Sequence, residues 1–453
     1  MIVIESVMRR SLTVAVACMA LACTTDLPTG VSDVEVRAAK GTAGGPTTGG
    51  VSVGAAMPSA ATRDTTLDVR IIGSGFARGM VAKWAIDGVV DSNVVVNSTR
   101  FVSSTELVAN ISVTSDAPLT EYDIIVTSSK GGKGGIGTEI FEIVQELGLL
   151  SLGGGHSDAL SINDAGEIAG FSTYYAPGQG SAIRPVVWGA DGTIRDLLPS
   201  GYATGRAVDI NENGQVTGWL HGGSSEGFTL FVWSPASGIQ FLPTLPGETQ
   251  NGVYAINDAG VVAGWSGDAA VLWENGVLRV LPTDPTQSSA ATDINNLGEV
   301  IGFSEPEYNS GPVSAWRWNA VSGVQMLPTL QGNLGSPTGI NDRGQIVGYG
   351  PSASGGGAFL HENGVTRQLP GDLAIARAIS EAGHVVGSTT GSRGAMWSPD
   401  GTLSIICTPV QPAVNYTSTC GAWGVNTEGI AVGWKSDKYG QYTKAYKWSL
   451  AGF

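Results

Sequence analysis

The sequence predicts an all-β protein, an immunoglobulin-like β-sandwich followed by a seven-bladed β-propeller. Glycine supplies 66 of the 453 residues and charged residues only 14 %, a composition that favours turns and strands over long solvated helices. Residues 51–144 alternate in short apolar runs bounded by turn residues. The remaining two-thirds of the chain carries one corner motif seven times.

In chain order, Arg9 and Arg10 precede the apolar run from Leu12 to Ala22. That run is too short to span a bilayer and has the make-up of a secretion signal, assigned to residues 1–22. It ends in Ala20-Leu21-Ala22-Cys23, which resembles a bacterial lipobox, although Leu is usual where Ala20 stands. The resemblance implies that the Cys23 thiol carries lipid and that the protein is anchored in a membrane. Thr24, in place of Asp, implies the outer membrane or cell surface. The alternative is ordinary cleavage near Ala22 and release. Residues 23–50 are rich in Thr, Gly and Pro with little apolar patterning and read as a flexible tether.

Between residues 51 and 144, Leu67–Ile72, Val94–Val96, Glu106–Ile111 and Tyr122–Val126 read as strands, and their spacing without a helical period reads as a sandwich. This stretch also resembles the IPT/TIG family, through Ile71-Ile72-Gly73-Ser74-Gly75-Phe76, Ser103-Ser104-Thr105-Glu106-Leu107 and Tyr122-Asp123-Ile124. The resemblance implies a spacer or binding module with no catalytic residue.

Over residues 145–453, Ile162-Asn163-Asp164-Ala165-Gly166 recurs at Ile210, Ile256, Ile294, Ile340, Ile379 and Val425. The closing glycines lie 38 to 48 residues apart, a period that suits one propeller blade. Each copy continues to a second glycine, at Gly170, Gly218, Gly264, Gly302, Gly348, Gly387 and Gly433. A strand ending in Trp or, once, His361 follows, and then a Leu-Pro strand, giving four strands per repeat, here a to d. The seventh repeat stops after its c strand, and the run Leu147–Leu152 before the first a strand is the expected replacement for the missing d strand. Such pairing would close the ring and cover an exposed edge.

The repeats also resemble the HAF family of bacterial extracellular repeats. The likeness lies in Leu147-Gly148, Leu152-Gly153-Gly154, the recurring Ile-Asn-Asp-x-Gly and Gly357-Ala358-Phe359-Leu360. The His of the family's name is absent before Ala358. The resemblance implies a secreted or surface protein and supplies no site residue.

Chemistry is sparse. Net charge is −15, with no basic stripe of the kind nucleic-acid binding requires. The Asn-Asp-x-Gly corners read as hairpin turns in which Asn and Asp bond their own backbone, rather than as calcium loops. No metal or other cofactor is expected. Gly155-His156-Ser157-Asp158-Ala159 faintly resembles a nucleophile elbow but lacks the strand–turn–helix context. Cys407 and Cys420, 13 positions apart in an exported chain, are expected to form a disulfide, the alternative being two buried thiols. Aromatics follow the second glycine in six repeats, Ser388 being the exception, and read as packing between blades, the alternative being a ring of stacking platforms for sugars or other ligands.

The a–b corners keep one length and the c–d turns stay short, whereas the b–c loops, up to the Ser172–Arg184 segment, and the d–a connections vary. Variation on one face marks a binding surface. Its expected ligand residues are Tyr174, Tyr175, His221, Tyr308, Tyr439 and Tyr442, with a glycan or protein as ligand. The sequence therefore predicts a non-catalytic surface lipoprotein. A polysaccharide hydrolase or lyase built on the propeller is the first alternative and a purely structural envelope protein the second.

Overall fold

The computed structural model describes residues 37–38, 50–58, 60–118, 120–128, 134–147, 155–176, 180–222, 227–306, 313–332, 335–352, 356–390, 393–406, 419–436 and 443–449. Every regular element among them is a β-strand. The signal segment, Cys23 and almost all of the tether lie outside them. The chain divides into two compact units, one holding Leu147–Cys407 and Thr419–Tyr446, the other Thr24–Glu146.

In the second unit one sheet runs in the order Arg37–Ala38, Ser52–Met57, Thr66–Ser74, Glu106–Val113 and Val94–Ser103. A facing sheet is built on Gly134–Glu146, Glu121–Ser128 and Met80–Ile86. Their inward side chains share one core. At its centre Trp84 meets the Phe141 ring edge-on, 5.5 Å between centroids, a favoured aromatic geometry. Strand Met80–Ile86 is an addition to the expected set, bounded by Gly79 and by the Asp87-Gly88 turn, both at positive φ, and Val94–Ser103 runs well past the expected Val96.

In the first unit, six four-stranded antiparallel sheets follow one another along the described residues, each in the order a-b-c-d. A further set, Cys420–Val425, Ile430–Ser436 and Thr443–Ser449, follows. Each a strand packs on the next, and Cys420–Val425 packs on Ser157–Ile162. The small sheets thus close radially, the arrangement of a β-propeller. The seam is bonded: Ala445 N–H donates to Ser157 Oγ at 2.9 Å, and Thr427 N–H to Asp164 Oδ1 at 2.8 Å.

Two glycine positions per repeat explain why the motif recurs. The first, from Gly166 to Gly429, has φ between +68° and +93°, left-handed backbone that glycine adopts without strain. At the second, a Cβ would stand 1.9–2.4 Å from an a-strand carbonyl oxygen in all seven repeats. A bulge in each a strand, as between Ala159 and Ser161, drives its backbone onto the b strand.

The closing strand was misplaced in the sequence reading. In six repeats the residue after the d strand, such as Leu197, Leu281 or Leu369, donates its N–H to the c strand at 2.9–3.0 Å. Leu147 makes the same bond, to Ala445 O at 3.0 Å. It therefore occupies the position after a d strand rather than the start of one. The rest of the expected run, 148–152, lies outside the described residues. The long b–c segment is also different from expectation. Ile168–Ala176 and Gly180–Trp188 pair continuously, so most of Ser172–Arg184 is an extended hairpin and not a loop.

Candidate functional site

Each a strand runs from its d–a connection to the Asn-Asp-x-Gly corner, and the two ends differ in chemistry. At the corner end every repeat does the same thing. The Asn side-chain oxygen accepts the N–H four residues on, as in Val261 N to Asn257 Oδ1 at 2.9 Å. Its Nδ2 reaches the next repeat, as in Asn257 to Asn295 O at 3.1 Å. Ser380 replaces Asn in the sixth repeat and still caps His384 N through its hydroxyl, at 3.2 Å.

The following residue does not bond its own turn, as the sequence reading expected. Its side chain caps the backbone N–H of the preceding repeat: Glu212 caps Asp164, Asp258 caps Glu212, Asn296 caps Asp258, Asp342 caps Asn296 and Glu381 caps Asp342. Asp164 then caps Thr427 across the seam. A carboxylate suits this task because a charge-assisted bond to an amide is the stronger kind. Burial, and then neighbouring carboxylates, push Glu212 and Glu381 above the ordinary range.

Inside this rim lies a cavity of about 370 Å³ on the axis of the ring. Among its lining residues are two buried acids. Asp209 accepts from Ser161 Oγ at 2.6 Å and from Ile256 N at 2.8 Å, tying three repeats together. Asp293 accepts from Ile294 N and Ile340 N, both at 2.8 Å. Burial raises both, and with the charge of Asp209 added it pushes Asp293 up to about 8.

Two residues before each Ile, the repeats stop resembling one another: Leu160, Val208, Tyr254, Thr292, Thr338, Arg377 and Trp423 line the cavity here. Thr292 and Thr338 are committed to Pro337 O and Ala376 O. Burial pushes Tyr254 up to about 12. The Arg377 guanidinium lies 3.9 Å from the centre of the Trp423 ring, a cation–π stack. Burial lowers the Arg377 pKa, and among the described residues its guanidinium makes no hydrogen bond or ion pair.

Two residues earlier again stand Asp158 and Arg206. Arg206 stacks 4.4 Å from the Phe171 ring centre, and its Nε is shielded from solvent without a partner. Asp158 Oδ1 and Trp423 Nε1 are in the same condition. Burial pushes Asp158 up to about 8 against the pull of Arg206, Arg377 and the Trp423 indole. The Trp423 indole N–H favours the ionised carboxyl, although the contact falls short of full hydrogen-bond geometry. Polar groups from the sixth, seventh, first and second repeats therefore converge with atoms of Asp158, Arg206 and Trp423 left unsatisfied, an arrangement that costs stability unless something else satisfies it.

The expected ligand residues are not brought together here. The ring of Tyr174 is covered by the Arg184 guanidinium, 4.2 Å from its centre, and Arg184 in turn pairs with Asp196. Tyr174 is thus packed along its hairpin rather than projecting. Tyr175 is in the same strand, its side chain outside the described set. His221 ends a b strand and meets Phe228 edge-on at 5.8 Å. Tyr308, Tyr439 and Tyr442 lie outside the described residues. Cys420 is disulfide-bonded, and Cys407 lies outside the described residues. Of the aromatics after the second glycine, Phe171, Trp265 and Phe303 are buried, while Tyr349 is exposed. Among the described residues no group of three or more His, Cys, Asp or Glu is placed to hold a metal ion.

The sequence reading missed Arg206, Tyr254, Arg377 and Trp423. They are non-repeating residues at repeating positions, and that departure from the period was the available signal.

No family model and no curated protein matches the chain. Among solved structures, a gluconolactonase from Xanthomonas campestris is similar at 14 % identity over 68 % of this chain and 97 % of its own, with a TM-score of 0.32. TolB from Acinetobacter baumannii is similar at 10 % identity over 74 % and 78 %, with a TM-score of 0.34. Dipeptidyl peptidase 4 from Porphyromonas gingivalis is similar at 9 % identity over 84 % and 48 %, with a TM-score of 0.29.

Proposed function

We propose that the chain is an exported, lipid-anchored binding protein. Residues 1–22 are its signal peptide, Cys23 carries the lipid, and residues 23–50 tether an immunoglobulin-like sandwich of the IPT/TIG kind over 51–144. A seven-bladed propeller of HAF repeats over 145–453 takes a glycan or protein segment without catalysis. The sandwich assignment is supported by Tyr122, whose hydroxyl donates to Asp91 at 2.7 Å and lies 3.4 Å from Pro118 O, four residues upstream, as a tyrosine corner does.

The observation that carries the binding reading is Arg377, which lines the axial cavity, stacks on Trp423 and makes no hydrogen bond or ion pair among the described residues. Ligand contact moves from the variable loops to this interior. A panel of glycans and peptides presented to the full chain and to Arg377→Met tests it: binding should be lost in the variant, and equal binding by both would sink the axial reading. For the anchor, Cys23→Ser should leave the membrane fraction. A wild-type chain without lipid mass would remove that part.

One observation favours a hydrolase instead. Asp293, pushed up to about 8 by burial and the charge of Asp209, is a raised carboxyl of the kind acid–base catalysis uses. Both carboxylates, however, already accept backbone amides from adjoining repeats, which makes them clamps. Incubation with a polysaccharide panel should release no new reducing ends. Release that disappears in Asp293→Asn would install the enzyme reading.

A further inference from the structure

We infer that the axial cavity accepts a short peptide with free termini, its carboxylate against Arg377 and Trp423 and its ammonium toward the acidic rim. The inference rests on the axial binding reading above and adds the ligand's chemical class and direction.

Arg377 comes first. It lines the cavity, is stacked face-on upon Trp423, and makes no hydrogen bond among the described residues. Stacking uses the flat face of a guanidinium and leaves its edge of N–H donors free, and that edge matches a carboxylate bidentately. Asp158 does not cancel these donors: it forms no ion pair with Arg377 or Arg206, and its own Oδ1 is unsatisfied. This end of the cavity is therefore built for an acceptor-rich anionic group.

The other end has the opposite character. Asp164, Glu212, Asp258, Asp342 and Glu381 line the rim, and each is held there by capping a neighbour's backbone. Five carboxylates around an opening repel a polyanion and draw in a cation. A single ligand that satisfies both ends is a zwitterion. Arg377 and Glu381 are four residues apart along one extended strand and its turn, roughly 13 Å at about 3.3 Å per residue. A free amino acid is too short for that span, whereas about three extended residues fit it. Ala255 and Ala378 are small lining residues between the ends, and the volume of about 370 Å³ falls in the range of small-ligand pockets.

Calorimetric titration of the full chain with tri-alanine tests the inference, beside its C-terminal amide, its N-acetyl form, free alanine and galacturonate. Tri-alanine should bind, with the amide weakened at least about tenfold through loss of the charge-assisted contact and the N-acetyl form weakened less. Arg377→Met should abolish binding while its melting curve stays cooperative. The amide comparison uses wild-type protein only, so it stands whether or not a variant folds. No heat with tri-alanine at millimolar concentration, or equal affinity of the acid and the amide, overturns the inference. Galacturonate binding that Arg377→Met abolishes would overturn the peptide assignment and leave the axial site standing. Silence from every probe on the panel would remove both.

Discussion

The two ends of the seven a strands make the most instructive comparison in the molecule. At the corner end the same atoms recur in nearly every repeat, and almost every polar group is bonded to the next repeat. At the opposite end, two and four residues before the Ile, most repeats differ, and Asp158, Arg206 and Trp423 hold unsatisfied atoms. Repetition marks the residues that hold the ring together. Departure from repetition, where it leaves polar groups unbonded at some cost in stability, marks the residues free to bind something else.

The comparison breaks most readily at the second glycine. Gly264→Ala would set a Cβ 2.1 Å from Gly252 O, a clash with backbone that cannot rotate away. A loss on the order of 3 kcal/mol or more is expected, read as a collapse of the thermal transition or failure to accumulate. A near-neutral Gly264→Ala would mean that the bulge is not what demands glycine.

Next comes the corner Asn. Asn257→Ala strips the Val261 amide and the Asn295 carbonyl of their partners, at a buried position. Roughly 2–3 kcal/mol should be lost in urea unfolding. A loss under about 0.5 kcal/mol would reassign these bonds as incidental.

A third test separates the ends by pH. Asp158 keeps its proton up to about 8 in the fold, against an ordinary value of 3.8. Between those values the folded state binds the proton and the unfolded chain does not. Its contribution is therefore complete below about 4 and is lost as pH rises towards 8. The melting temperature should fall between pH 5 and pH 8, and Asp158→Asn should flatten that fall. Asp293 supplies a similar slope that remains. Parallel curves for the two proteins would show that Asp158 is ionised in the fold.

Much of the constant end was legible in the sequence. Ile-Asn-Asp-x-Gly announced a turn, its spacing announced four-stranded units, and the first glycine announced positive φ. What periodicity could not show was the partner. Asp258 reads as a turn residue, yet it caps Glu212 of the preceding repeat, a contact across 46 positions. The register of closure was equally hidden, because Leu147 looks like the start of a strand until its bond to Ala445 is seen. The variable end was less legible. Tyr174 drew notice as an aromatic in a long connection, but pairing turned that connection into a hairpin and Arg184 covered the ring. Arg377 drew none, since a lone arginine in an apolar run carries no motif, and only the ring sets it beside Trp423 and Asp158.

The most direct test of the division of labour is to measure Arg377→Met and Asn257→Ala side by side in urea. Arg377→Met removes a buried guanidinium without hydrogen bonds and keeps apolar contact with Trp423. It should be as stable as the wild type or more so, while Asn257→Ala falls by the amount given above. An Arg377→Met protein destabilised as much as Asn257→Ala would contradict the account, because the irregular end would then be holding the ring together too.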